Sequence, residues 1–353
     1  VREGFLLFGT DIGIDLGTAT VLIFASGKGV VLREPSVVAY DQENEKILAV
    51  GGEAKRMLGR TPGHVVAVRP LQDGVIANYT MTETMLRYFI KKVTKGMNKF
   101  FRNRVMICVP SGATDVERRA VLEAAIEVGA REAYLIEEPM AAAIGAGITV
   151  AEPRGNMVVD IGGGTTDIAV ISLGSIVHSE SLRVGGDKFD EAITRFVRKN
   201  FNLAIGEQTA ELLKIDIGTC YPVGEMRSME IRGRDLVLGL PREIEINSYG
   251  IAEAISESVE AIIEGIRRVL ELTPPELSAD IIDRGIFLTG GGALLRDLPT
   301  LISEHTGIAC YIAENPMECV ALGTGKALEE LDSMKEAGTV LSALRRGRRL
   351  GRS

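Results

Sequence analysis

Apolar residues fall along this chain in two rhythms. Short β-branched runs occupy residues 12–15, 21–24, 30–32, 37–40, 105–109, 157–160, 168–171 and 285–288, and each is predicted to be a strand. From about residue 80 onward these runs alternate with stretches of helical period, which puts the chain in the α/β class. One predicted helix is fully punctuated. Thr114 and Glu117 form a capping box, Val116, Ala120, Val121, Ala124, Ala125 and Val128 an apolar stripe, and Gly129 a stop. A second, over residues 251–272, carries Ile255, Val259, Ile262, Ile263, Ile266, Val269 and Leu270 on one side and is halted by Thr273-Pro274-Pro275. Residues 225–250 alternate apolar and polar positions between turn glycines, as a small antiparallel sheet does. The tail after Met334 lacks aromatic and β-branched density and is expected to be mobile.

Two of the strand pairs are versions of one pattern. Residues 13–24 (GIDLGTATVLIF) and 158–171 (VVDIGGGTTDIAVI) each run from an apolar strand to an aspartate, a Gly/Thr-rich turn and a second apolar strand. Such a hairpin tip offers backbone N–H groups to an anion, with a carboxylate at its base. Two tips facing each other would grip a polyphosphate. Asp15 and Asp160 would then hold a divalent cation, usually through water; the plainer alternative is that both are ordinary turn residues. At 353 residues the chain is long for one core, so two domains or a duplicated fold are expected. No long Pro/Ser-rich linker divides it, which points to domains packed around a cleft.

A third glycine turn, Gly290-Gly291-Gly292, follows the strand at 285–288, with a helix expected to begin near Ala293. Glycines suit places where backbone must approach phosphate oxygens with no Cβ between. The P-loop pattern GxxxxGK[ST] is absent, and no GxGxxG opens a helix after a strand. Residues 136–143 (IEEPMAAA) join a strand to a small-residue helix with Pro139 at its first position. A glutamate there is either a helix-dipole partner or the group that orients water against a γ-phosphate, and Glu138 is preferred to Glu137 for that role.

Composition narrows the partners. A net charge of −8 argues against nucleic acid. Three histidines exclude a histidine-rich zinc site, and the four cysteines lack metal-ligand spacing and read as reduced core thiols. No motif supports a Ser/His/Asp triad. No apolar run approaches the ~18 residues of a membrane span and no signal peptide is evident, so the cytoplasm is expected. Mean hydropathy of +0.15 leaves room for exposed apolar surface. Phe5, Leu6, Leu7 and Phe8 have three readings: an extra edge strand, an artefact of where the chain starts, or an apolar foot in a membrane surface. Residues 340–353 hold five arginines and no acid.

DLGT, the DIGGGTTD turn, EEPMAAAIGAG and LTGGGALL, in this order, resemble the actin/Hsp70/sugar-kinase superfamily and, within it, the bacterial actins of the MreB and Mbl type. EPSVVA (34–39), RPLQDGVIANY (69–79), TPPELSADIIDRG (273–285) and AENPMECVALGTG (313–325) extend the resemblance over roughly residues 9–335. The last of these and GRDLVLGLPR (233–242) look closer to Mbl. The resemblance implies an actin-like ATPase fold of two RNase H-like lobes around a nucleotide cleft, each with a small variable subdomain. Lobe I would take 9–152 plus 321–335 (small subdomain about 39–71) and lobe II 153–320 (small subdomain about 189–251). An apolar segment, 1–8, and a basic, mobile tail, 336–353, would flank them.

ATP and Mg²⁺ are the implied cofactors. By resemblance, Gly17, Thr18, Ala19 and Thr20 form the first phosphate loop, Gly162, Gly163, Gly164 and Thr165 the second, and Gly290, Gly291 and Gly292 back the nucleotide. Gly206, Glu207, Thr209, Ala210 and Lys214 would contact adenosine. Asp15 and Asp160 would sit beside the metal, Glu138 would act as catalytic glutamate, and Thr166 would help position water. The chain departs from the family at Thr20, where asparagine is usual, and at Gln208, where arginine is frequent. Phe100 and Phe101 match a membrane-inserting loop, with Lys99, Arg102 and Arg104 alongside; the alternative is two core phenylalanines.

The implied function is a membrane-associated cytoskeletal ATPase that polymerises and organises wall synthesis and rod shape. Its implied partners are itself, as paired protofilaments, the inner face of the cytoplasmic membrane, and membrane proteins of the MreC/MreD/RodZ type. Rivals are a small-molecule kinase of the superfamily, an Hsp70-type chaperone, for which only about twenty residues remain after Leu331, and a filament module with little turnover.

Overall fold

A computed structural model describes residues 11–44, 46–94, 104–336 and 338–345. Phe5, Leu6, Leu7, Phe8, Phe100, Phe101 and the last arginines therefore lie outside the described residues. The chain divides into two compact units: Val1–Pro153 with Ser172–Ile176 and Glu318–Ser353, and Arg154–Ile171 with Val177–Met317.

The first unit begins with strands β1 (Ile12–Leu16), β2 (Thr20–Ala25), β3 (Gly29–Pro35), β4 (Val38–Asp41) and β5 (Lys46–Val50). It continues through α1 (Gly52–Met57), β6 (Val65–Val68), β7 (Leu71–Gln72), β8 (Val75–Ile76), α2 (Tyr79–Val93), β9 (Arg104–Val109), α3 (Asp115–Val128), β10 (Glu132–Glu137) and α4 (Glu138–Gly145). Next, mostly in the second unit, come β11 (Asn156–Ile161), β12 (Thr166–Ser172), β13 (Ser175–Leu182), α5 (Gly186–Phe201), β14 (Leu203–Ala204) and α6 (Glu207–Ile217). That unit is completed by β15 (Ser228–Asp235), β16 (Pro241–Asn247), α7 (Ser248–Glu271), α8 (Pro275–Arg284), β17 (Ile286–Thr289), α9 (Leu298–Thr306) and β18 (Cys310–Ile312). The chain then returns to the first unit with α10 (Cys319–Glu329), α11 (Leu331–Glu336) and β19 (Val340–Arg345).

Each unit is built on a mixed sheet with the same inner pattern. In the first, the strand order is β19-β10-β9-β1-β2-β3, with β1–β2 and β2–β3 antiparallel and β1–β9 and β9–β10 parallel. In the second, the order is β13-β12-β11-β17-β18, with β11–β12 antiparallel and β11–β17 and β17–β18 parallel. The repeated hairpin of the sequence is thus a repeated sheet centre. Its strands are buried on both faces, so they are apolar throughout rather than alternating. Ile12, Ile14, Val21, Ile23 and Ile107 pack with Leu86 and Phe89 of α2 and Val121 and Ala125 of α3. Met157, Val159, Ile168 and Val170 pack with Phe189 and Ile193 of α5 and Ile255, Ile262 and Ile266 of α7.

The predicted punctuation holds at α3: the Thr114–Glu117 capping box is present and Gly129 closes the helix. Val116 is an exception to the stripe. It is 79% exposed, because the second helical position of α3 lies off the packed side. The antiparallel sheet expected within 225–250 is β15–β16, with β14 on its edge. Thr273-Pro274-Pro275 does stop α7, but Pro275 also opens α8, proline being well suited to a first helical turn.

Two expectations are corrected. The tail after Met334 is not uniformly mobile: Val340–Arg345 is an edge strand paired antiparallel to β10. Leu341 and Leu344 pack on the first unit's core, and Arg345 lies 3.3 Å from Glu132. The third glycine turn does not run into an α-helix near Ala293. Gly292–Leu294 is one 3₁₀ turn, and α9 starts only at Leu298, with Pro299 in its first turn.

Candidate functional site

In the first unit, the parallel strands β1, β9 and β10 bring their carboxyl ends to one edge of the sheet. This is where open α/β sheets place their chemistry. Ile14 pairs with Ile107, and Cys108 with Ile136, so Asp15, Cys108 and the Glu137–Glu138 junction are neighbours. The ligating atoms of Asp15, Cys108 and Glu138 all lie within 4.8 Å of one another. The Cys108 thiol donates to Asp15 Oδ1 at 3.5 Å. Burial pushes the Asp15 carboxyl up to about 7, against the lowering effect of that thiol. Burial also raises the Cys108 thiol well above its ordinary range, with Asp15 and Glu138 adding to the shift. A bound cation would relieve this strain on the buried Asp15 carboxylate.

The donor set fits magnesium. That ion takes one or two carboxylates and fills its remaining positions with water and phosphate oxygens. Asp15 would supply a carboxylate, directly or through water, which leaves Glu138 for the attacking water; a thiol is too soft a donor to take part. Cys108, expected to be an inert core thiol, is indeed buried but forms a wall of the site. Its position at the end of a parallel strand was the only signal in the sequence. The two candidate glutamates separate clearly. Glu137 accepts from Ser111 Oγ at 3.1 Å and lies 4.0 Å from Arg118, whereas Glu138 opens α4 beside Asp15.

The Gly17–Thr20 turn is strapped from outside. Ser36, fully buried, donates its hydroxyl to the Gly17 carbonyl at 2.6 Å and its amide to Ala19 O at 3.0 Å. Thr18 Oγ1 accepts from the Gly74 amide at 3.1 Å, leaving its own hydrogen to donate elsewhere. A Cβ on Gly17 would sit 2.7 Å from Thr20 O, so the turn itself requires glycine. Thr20 begins β2 opposite Pro35.

In the second unit, Asp160 pairs with Thr289 across β11–β17, and the Thr289 hydroxyl donates to Asp160 Oδ1 at 2.6 Å. The Gly162–Thr165 turn is closed by Gly162 N–H to Thr165 O at 2.8 Å. Its carbonyls are held by the start of α5, with Gly186 N–H on Gly162 O and Asp187 N–H on Gly163 O. Thr166 is fully buried and donates its hydroxyl hydrogen to Val184 O at 2.7 Å, which leaves the oxygen free to act only as an acceptor. Gly290 and Gly292 are required by packing: a Cβ on either would come within 2.3 Å of Ile161. Gly291 alone of the three faces open space, with only Met317 Cε at 3.7 Å.

Gly206 caps α6 with nothing within 4 Å of a would-be Cβ, and Glu207 beside it is exposed. Thr209 is half-buried, whereas Ala210 is fully buried in the second unit's core and is not presented to a ligand. Lys214 is committed to Gly186 O at 3.0 Å and Asp190 Oδ2 at 2.8 Å. It ties α6 to the start of α5, which in turn holds the 162–163 carbonyls.

Comparison with known proteins agrees along nearly the whole chain. The family model described as MreB/Mbl protein matches residues 9–336. The chain is 55% identical over 329 residues to the cell shape-determining protein Mbl of Bacillus subtilis, covering 93% of this chain and 98% of that one. It is equally 55% identical over 332 residues to the cell shape-determining protein MreB of Escherichia coli, covering 92% and 95%. Among solved structures, MreB5 of Spiroplasma citri bound to AMPPNP matches with a TM-score of 0.88 and 40% identity, over 94% of this chain and 99% of that chain. The same protein bound to ADP matches equally well.

Proposed function

The chain belongs to the MreB/Mbl family and has the actin-like fold, and from that premise we propose that it is an ATPase that polymerises with bound nucleotide. We further assign it to the inner face of the cell membrane, where its filaments organise wall synthesis and rod shape. The observation that carries the enzymatic part is the Asp15–Cys108–Glu138 group at the carboxyl end of the first unit's sheet.

In this reading Glu138 orients the attacking water and accepts its proton as the water oxygen bonds to the γ-phosphorus and the bond to the β–γ bridging oxygen breaks, releasing ADP. Glu137 faces Ser111 and Arg118, whereas Glu138 lies beside Asp15, and that placement favours Glu138. Asp15 fixes the geometry on the other side, and the buried wall around Cys108 keeps bulk water away. The amides of the 17–19 turn and the Thr18 hydroxyl donate to phosphate oxygens, and in the second unit the 162–165 turn offers backbone amides of the same kind. Magnesium, when bound, neutralises charge on the phosphates. Gly206, Glu207 and Thr209 form the nucleoside-binding edge of α6. The buried Ala210 and Thr166 and the ion-paired Lys214 support that edge and the turn beside it from behind.

Replacing Glu138 by Ala tests the reading. Phosphate release should fall by about a hundredfold or more, while AMPPNP binding and assembly persist. An unchanged rate would take Glu138 out of the mechanism and favour a filament module that needs bound nucleotide but no turnover.

A further inference from the structure

A turn cradles an anion only when its amides face the ligand and its carbonyls face away. A trans peptide carries its C=O and N–H on opposite sides, so holding one aims the other. In the Gly17–Thr20 turn the carbonyls are anchored. The Ser36 hydroxyl donates to Gly17 O at 2.6 Å, and the Ser36 amide donates to Ala19 O at 3.0 Å. A third tie runs from the Gly74 amide to Thr18 Oγ1 at 3.1 Å. Among the described residues the amides of Thr18 and Ala19 have no acceptor, although Thr18 is buried. Nearly every buried amide in a folded protein is paired, so two left open on one turn point to an anionic ligand.

The Gly17 carbonyl and the Thr18 amide belong to one peptide, and the Ser36 hydroxyl decides which of them faces the ligand. Asp15 makes that choice matter. Its Oδ1 lies 3.5 Å from where a Cβ on Gly17 would stand. A Gly17 carbonyl turned inward would set another oxygen dipole against Asp15 and the phosphate oxygens, in place of a donor that attracts them.

Ser36 is itself firmly seated. It is fully buried, and the Val37 amide donates across it to Pro35 O at 2.9 Å. Pro35 stands opposite Thr20 in the β2–β3 pair. Glu34 accepts from the Gly52 amide at 2.9 Å and from Lys92 Nζ at 2.6 Å, which ties this backbone to α1 and α2. None of these bonds uses the Ser36 hydroxyl. In the second unit main-chain amides do the corresponding work: Gly186 N–H holds Gly162 O at 3.0 Å and Asp187 N–H holds Gly163 O at 2.8 Å. We infer that Ser36 is a positioning residue of the ATPase proposed above, a reading on which the inference rests. Its hydroxyl keeps the Gly17–Thr18 peptide with the amide towards the terminal phosphates and the carbonyl away from Asp15. Ser36 acts through Gly17.

The test uses the full chain with Mg²⁺ and compares Ser36→Ala and Ser36→Cys with a packing control, Val50→Ala, a buried position on β5 outside the turn and its anchors. Ser36→Ala should bind AMPPNP about tenfold more weakly and release phosphate with a kcat about tenfold lower, the size of one charge-assisted hydrogen bond. AMP, which lacks the terminal phosphates, should bind as it does to wild type. Ser36→Cys nearly keeps the volume and retains a weak donor, so it should fall between. Val50→Ala should lower the urea midpoint at least as far as Ser36→Ala, yet leave AMPPNP affinity and kcat at wild-type values. Unchanged AMPPNP affinity and kcat in Ser36→Ala overturn the inference, because the turn then keeps its polarity without the hydroxyl. Equal losses for AMP and AMPPNP, or matching losses in Val50→Ala, overturn it as well, since Ser36 would then serve stability alone. If Ser36→Ala does not fold, the ratio of AMPPNP to AMP affinity in Ser36→Cys decides. A wild type that binds AMPPNP but releases no phosphate removes the hydrolytic reading and leaves the affinity series to decide on Ser36. A wild type that binds no nucleotide overturns both.

Discussion

The two hairpins at the sheet centres share a strand pattern and differ in what surrounds their aspartates. Asp15 meets a thiol and a second carboxylate, and burial carries it up to about 7. Asp160 meets the hydroxyl of Thr289 at 2.6 Å. Both neighbours come from the adjacent parallel strand, Cys108 from β9 and Thr289 from β17. One repeated backbone device thus carries a strained carboxylate in one unit and a satisfied one in the other. The turns differ likewise: side chains strap the first, and helix amides hold the second. Where burial strains a carboxylate, as at Asp15, a bound cation would relieve it.

The sharpest break in this comparison is steric. A methyl on Gly17 would press on Thr20 O at 2.7 Å, whereas one on Gly162 would sit 3.3 Å from Thr165 O. Gly17→Ala should therefore destabilise the protein by about 3 kcal/mol, at the upper end of overpacking, and Gly162→Ala by less than about 1 kcal/mol. Urea melts of the two variants decide the matter, and equal losses would show that the two turns are interchangeable.

The donors to the two aspartates come next. Thr289→Val keeps the side-chain shape but leaves Asp160 Oδ1 buried without its hydroxyl, at a cost of about 2 kcal/mol. Cys108→Ala removes a weaker donor and a small volume and should cost about 1 kcal/mol. The same pair of melts measures both. If Cys108→Ala proves the more damaging, the thiol supports Asp15 as strongly as Thr289 supports Asp160, and the asymmetry fails.

How much of this could be read from the sequence follows from range. The hairpins, the Thr114–Glu117 capping box and the α7 stripe depend on residues within a turn or two of each other, and their patterns sit in contiguous text. Cys108 and Thr289 are 93 and 129 residues from the aspartates they serve. No local period marks them. Strand β19 is hidden because its Leu341 and Leu344 stand just before a run of arginines that reads as a solvated tail. The resemblance places Lys214 and Ala210 at the nucleotide; pairing with Asp190 and burial in the core are tertiary facts that the motif GEQTAE does not contain.

The mildest effect concerns the support of the second turn, which has no counterpart in the first. Asp190, buried on α5 beside Lys214, has its carboxyl raised to about 6, burial outweighing the lysine. Asp187 and Glu211 face it as well and push in the same direction as burial. A carboxyl raised in the folded state binds its proton more tightly there than in the unfolded chain. Its contribution therefore favours folding below pH ~4 and weakens progressively as pH rises towards 6, then stays constant. Asp190→Asn should remove that slope. Melting temperatures of variant and wild type, followed from pH 4 to 7, should show the difference between them changing up to about pH 6 and flat beyond it. A difference that stays constant across the whole range would mean that Lys214 keeps Asp190 ionised throughout, and that the second turn rests on a full ion pair.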